Sequence, residues 1–162
     1  MNQQDYSRAV PGLLAPVIVV KSADETVNNS ATLQDDDELK FYVEPYSTWR
    51  WSMEVNYLSG TTPDFKPAII LPTGATPTTF PAIVRVGAAT ASVFYVYGAS
   101  VGLDGGGATD MMFSAWGIVI VGATGGFVKL QWAQNTADAS DTKVLKGSTL
   151  MAFNVTPYAV KP

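Results

Sequence analysis

The sequence predicts an all-β protein: a single β-sandwich, jelly-roll-like, with an extended N-terminal arm. Three observations predict it. Apolar and aromatic residues recur at every second position in several runs, clusters of Gly, Pro, Thr and Asp separate those runs, and no segment carries a convincing helical face. At 162 residues the chain has room for one domain with a proper core and not for two comfortable ones. The expected division is an arm over residues 1–15 and a sandwich over 16–162.

The arm is polar at first and then punctuated by Pro11 and Gly12, with Tyr6, Val10, Leu13 and Leu14 as scattered apolar anchors. From Val17 onward strands dominate. In "LKFYVEPYSTWRWSMEVNYLSG", Leu39, Phe41 and Val43 share one side. After a break at Pro45, Trp49, Trp51, Met53, Val55 and Tyr57 alternate with Arg50, Ser52, Glu54 and Asn56, as in a half-buried strand. The segment Thr61 to Ala82 carries prolines at 63, 67, 72, 77 and 81 and is expected to be a long crossing loop without regular ladder pairing. Strand-like runs follow at "AIVRVGA", "ASVFYVYGAS", "MMFSAWGIVIVGA", "GFVKLQWAQN" and "STLMAFNVTPY". "GLDGGGATD", Gly102 to Asp110, reads as a flexible hairpin connection. Short strands at this spacing argue for a sandwich or barrel.

Composition narrows the chemistry. The chain has no cysteine, so neither a disulfide framework nor a thiolate metal site is available. It has no histidine, which removes the commonest proton shuttle and the commonest metal ligand. With 10 basic and 14 acidic residues the net charge is −4, and no field attracts a phosphate backbone, so nucleic acid is not an expected partner. No eighteen apolar residues run together and the N-terminus lacks a signal-peptide pattern, so no membrane partner is expected either. The charged share is only 15% against 47% hydrophobic residues, which suggests that part of the surface meets another protein.

Each candidate for chemistry has a plainer explanation. Ser140-Asp141-Thr142-Lys143 matches a Ser-x-x-Lys spacing, but that pair needs a helical turn to face each other, and here it sits in a polar inter-strand loop. The run Asp35, Asp36, Asp37, Glu38 lacks the spacing of a calcium loop and reads as a solvated turn ahead of a strand. The glycines at 102, 105, 106, 107, 122, 125 and 126 precede strands rather than helices and are turn glycines, not a phosphate cradle. Trp49 and Trp51 share parity and could form a stacking platform for a sugar, although aromatics at period two more often pack in a core or between subunits. No enzyme activity, cofactor or metal is expected. The loop from Asn135 to Ser148 is expected to be a structural connection set by Gly147 and its Asp and Thr side chains.

One stretch carries more. "LQWAQNTADASDTKVLKGSTLMAFNV", with Trp132, Ala133, Gln134, Asn135, Thr136, Val144, Leu145, Gly147, Ser148 and Leu150 at the matching positions, resembles a C-terminal strand-loop-strand signature of tailed-bacteriophage virion structural proteins. The upstream "SADETVNNSATLQDDDELKFYVEPYSTWRWSMEVNYLSG" is similar to the same group. The resemblance implies assembly rather than catalysis: a homotrimeric decoration, or cement, protein on the outer surface of a phage head. Its partners would be the major capsid protein and further copies of itself. The residues expected to touch the shell are Tyr6, Val10, Leu13, Leu14, Phe65 and Phe80, and those expected between subunits are Trp49, Trp51 and Tyr95. A minor tail or fibre-base protein, or a carbohydrate-binding module using Trp49 and Trp51, are the alternative readings.

Overall fold

The computed structural model describes residues 15–78, 82–86, 89–93, 100, 102–107 and 109–156. Twelve strands and no helix occur among them: β1 (Val17–Val20), β2 (Glu25–Asn28), β3 (Gln34–Val43), β4 (Thr48–Leu58), β5 (Phe65–Ile70), β6 (Thr76–Thr78), β7 (Ala82–Val86), β8 (Ala89–Val93), β9 (Met111–Ile120), β10 (Gly126–Gln134), β11 (Asp141–Val144) and β12 (Thr149–Asn154). They form two antiparallel sheets. The larger runs β1-β12-β4-β9-β7-β8, with β11 joining β2 to β4 and β6 lying along β9; the smaller runs β3-β10-β5.

The pairing has a simple logic. Along the first part of the chain β1, β2, β3 and β4 pair in turn with β12, β11, β10 and β9, so the chain is one long hairpin ribbon rolled up on itself. Val17 stands opposite Ala152, Asn28 opposite Asp141 and Lys40 opposite Lys129, each step forward on one arm matched by an equal step back on the other. β4 and β9 are displaced from that common register by one residue, with Thr48 opposite Ile120. A second irregularity falls between Lys129 and Gln131, where β10 shifts against β3. Because β1, β3, β4, β5, β9, β10 and β12 alternate between the large and small sheets, the ribbon wraps around its own core, which is the jelly-roll arrangement.

Alternation drives the packing. In β4, Trp49, Trp51, Met53, Val55 and Tyr57 point inward between exposed or half-buried neighbours, and in β10, Val128, Leu130 and Trp132 do the same from the facing sheet. One contiguous core results, with Tyr57 stacked on Phe65 at 4.3 Å between ring centres and Phe41 tilted against Trp49 at 5.7 Å. Each fully buried large apolar side chain contributes roughly 1.5–3 kcal/mol relative to exposure.

Three local expectations change. The proline-rich segment contains two strands, β5 and β6, because each pairs with a single neighbouring strand, β10 and β9, and such an edge tolerates the donor that Pro67 or Pro77 lacks. The acidic run is not a solvated turn but the start of β3, with Asp36 fully buried. Gly102 to Asp110 is not a hairpin loop: it leads from β8 to β9, which are separated by β7, and Leu103 is buried and exchanges two backbone hydrogen bonds with Phe65 at 2.7 and 2.9 Å.

Candidate interaction surface

Four strands of the large sheet, β1, β12, β4 and β9, turn one face to the core and the other outward. Registers align the outward residues into rows across the strands. The middle row is Ile18, Met151, Ser52 and Trp116; above it stand Phe153, Arg50 and Ile118, and below it Val20, Thr149, Glu54 and Ser114. On this face Ile18 is 59% exposed, Val20 58%, Phe153 44% and Met151 41%, with Val155 and Ile120 exposed beside them. An open concavity of about 650 Å³ lies at the upper row, lined by Pro16, Arg50, Ser52, Trp116, Phe153 and Val155 among others. Scattered exposed apolar residues are ordinary, whereas a contiguous group on a rigid sheet marks a surface used for contact.

The outer face of the small sheet is different. Tyr42 and Phe127 meet edge-to-face at 5.5 Å and are both half exposed, but beside them the surface is polar. Asp35 accepts hydrogen bonds from Lys129 Nζ at 2.6 Å and Gln131 Nε2 at 2.7 Å, and these contacts hold its carboxyl below the usual carboxylate range. Asp35 and Lys129 thus satisfy one another within the chain.

The layers are tied by a buried ion pair. Lys21 Nζ donates to both oxygens of Asp36 and to Glu25 at 2.9–3.1 Å. Burial opposes the ammonium charge, yet the two carboxylates outweigh it and raise the Lys21 pKa above its ordinary value. Asp36 Oδ1 also accepts the backbone N–H groups of Glu38 and Leu39. The loop after β10 is braced from inside by a buried amide. Gln134, fully buried, accepts from the N–H of Ser30 and of Asp138 and donates to the carbonyls of Asp138 and Ser140. The Ser140 hydroxyl donates to Asp138 at 2.6 Å, and Lys143 lies 3.5 Å from Asp141, so the serine and the lysine each face an aspartate and not each other. Gly147, at φ 83°, makes the turn into β12, and β11 forms inside what the sequence suggested was continuous loop.

The predicted contact residues fall into two groups. Trp49, Trp51 and Phe65 are 3%, 2% and 0% exposed, packed in the core rather than set on the surface, because the period-two face that made them conspicuous is the inward face of its sheet. A stacking platform on Trp49 and Trp51 is closed for the same reason. Tyr6, Val10, Leu13, Leu14, Phe80 and Tyr95 lie outside the described residues. The exposed group on β1 and β12 was overlooked, although "VIVV" followed by a polar turn, and Met151 and Phe153 either side of Ala152, were its traces in the sequence.

No family model matches this chain, and no curated protein matches it. Among solved structures, it is similar to a chain of "Structure of infectious bursal disease virus Gx strain", with a TM-score of 0.38 and 13% sequence identity. The match covers 91% of this chain and 39% of the other, so this chain spans about two-fifths of the length of that viral neighbour.

Proposed function

We propose that this chain is a structural protein of a tailed-bacteriophage virion, a cement that decorates the outer surface of the head as a homotrimer and stabilises the shell. The observation that carries the reading is the exposed apolar group on the outer face of the large sheet, set on a rigid sandwich with few charges. The sequence resemblance of the β10–β12 region supports it. The partners are the major capsid protein and further copies of the chain, and the role includes no catalytic step. The mechanism is avidity: each subunit adds modest contacts to neighbouring capsomers, and linkage through the oligomer makes simultaneous release improbable. Bound protein favours the assembled shell by mass action.

Co-sedimentation of the purified protein with undecorated phage heads tests this, alongside its mass in solution by light scattering. Saturable binding by a trimer, weakened when residues 1–15 are removed, is the expected result. Binding to tails and not to heads would move the role to the tail, and binding to neither would end the virion reading.

A further inference from the structure

We propose that the outer face of the large sheet pairs with the same face of a second copy of this chain, about a two-fold axis that passes through the row of Ser52. In this pairing Arg50 of each copy lies against Glu54 of the other. The face itself supplies the argument. Arg50 and Glu54 project from the same side of β4, two residues either side of Ser52, and both are exposed. Neither makes a hydrogen bond or an ion pair among the described residues, whereas Asp35 on the facing sheet is paired with Lys129 within the chain.

The axis follows from the charges. Two identical faces can be apposed about an in-plane axis along the strands or across them. The first, with the axis along β4, sets Arg50 against Arg50 and Glu54 against Glu54, which is repulsive twice over. The second, lying along the middle row, reverses the strand direction and sets the upper row of one copy against the lower row of the other. Arg50 then meets Glu54 twice. The same operation sets Phe153 over Thr149 and Ile118 over Ser114, a large side chain over a small one in each case. The middle row meets itself, with exposed Met151 and Ile18 against their own copies and small Ser52 near the centre.

Distances allow it. Packed sheets lie about 10 Å apart and cross at about 30°. Arg50 stands two residues, about 7 Å, from the axis along the strand. A 30° crossing therefore displaces it sideways by only about 3–4 Å, within the reach of an arginine and a glutamate. An isologous contact of this kind is the commonest form of self-association, and it covers the exposed apolar side chains that a free monomer leaves in water.

The inference goes beyond the proposed trimer by assigning to a second copy the same exposed face on which the cement reading rests. If a three-fold contact also exists elsewhere, the two together give pairs of trimers. The test is the mass of the full chain by light scattering over a range of concentrations, for five samples. These are wild type, Arg50→Glu, Glu54→Arg, an equimolar mixture of those two variants, and the double reversal R50E/E54R. Wild type is expected as a dimer, or as a hexamer if trimers form. Each single reversal brings like charges together at both contacts, weakens pairing by about tenfold or more, and halves the mass. Mixing the two single variants restores it, because both contacts then join opposite charges, and so does the double reversal. Met151→Lys, which sets two ammonium groups together at the middle row, halves the mass through a residue outside the charge pair. Circular dichroism confirms that each variant is folded.

A wild-type monomer or trimer, reversals that leave the mass unchanged, or a mixture that stays dissociated each overturn the pairing. An even-numbered oligomer that ignores phage heads leaves the pairing in place and removes the cement role; a trimer that binds heads does the opposite.

Discussion

Lys21, just beyond β1, and Asp36, in β3, join the two layers of the sandwich: the ammonium lies 3.0 and 3.1 Å from the two carboxylate oxygens, and both side chains are closed to solvent. Removing one partner strands the other. Lys21→Met or Asp36→Leu is expected to cost about 3–5 kcal/mol by urea denaturation, while the combined replacement of both is expected to recover much of that loss. If the two single losses simply added in the double variant, the pair would not be acting as a unit. Because the pKa of Lys21 is raised, its contribution is complete below its ordinary value of 10.5 and is lost as pH climbs through the folded-state value. The stability of wild type, but not of the double variant, should therefore fall by this route only in alkali.

Tyr57 reinforces that alkaline limit. Burial, and then the negative charges of Asp104 and Asp64, push its pKa up to about 12, and its hydroxyl donates to the Asp104 carbonyl at 3.0 Å. A neutral acid held protonated adds stability that is full below its usual value of 10 and vanishes as pH rises to about 12. Ultraviolet titration of the seven tyrosines is expected to show a last fraction that ionises near pH 12 or together with unfolding. Loss of that fraction in Tyr57→Phe identifies it, and its survival in that variant assigns it elsewhere.

Gln134 makes four hydrogen bonds with one buried amide, so its replacement leaves several backbone groups without partners at once. Gln134→Met is expected to cost about 2 kcal/mol or more. The amide hydrogens of Ser30 and Asp138 are expected to exchange with solvent markedly faster in the variant, while those of β4 keep their protection. Uniform acceleration across the sheets would mean that the amide supports the whole fold and not this loop.

Two glycines separate close approach from backbone conformation. A Cβ on Gly105 would fall 1.8 Å from the Gly60 carbonyl oxygen, whereas one on Gly147 would meet nothing within 4 Å and suffers only from the positive φ of 83°. Gly105→Ala is expected to cost about 3 kcal/mol or more, and Gly147→Ala about 1–2 kcal/mol. Thermal melts of the two variants rank them, and the reverse order would contradict the packing of the 102–107 segment.

What the sequence disclosed depends on how each strand meets the core. β3, β4, β9, β10 and β12 could be read because one face of each is wholly buried, and burial writes a period of two into residues such as Trp49, Trp51 and Met53. β2 and β11 could not: "ETVN" and "DTKV" offer one apolar residue each to the core, Val27 and Val144, and β2 pairs with β11 alone. β5 was masked by Pro67, whose cost disappears only once the strand is known to be an edge. The buried role of Asp36 was hidden because its partner lies fifteen residues away and reaches it only when the layers close. The same face-to-core rule misdirected the search for contacts, since the most conspicuous aromatics are conspicuous for being inside.

The rolled ribbon also imposes an order in time. β4 and β9 lie nearest the closed end of the hairpin, and β1 and β12 form its far end, where Val17 must find Ala152 across most of the chain. Joining distant segments first is entropically the slow route, so the ribbon is expected to zip outward, each inner pair shortening the span for the next. β1 then docks last, and with it come Ile18 and Val20. The stickiest corner of the surface is thus assembled only when the chain has closed, and a half-folded molecule has no finished patch with which to capture its neighbours.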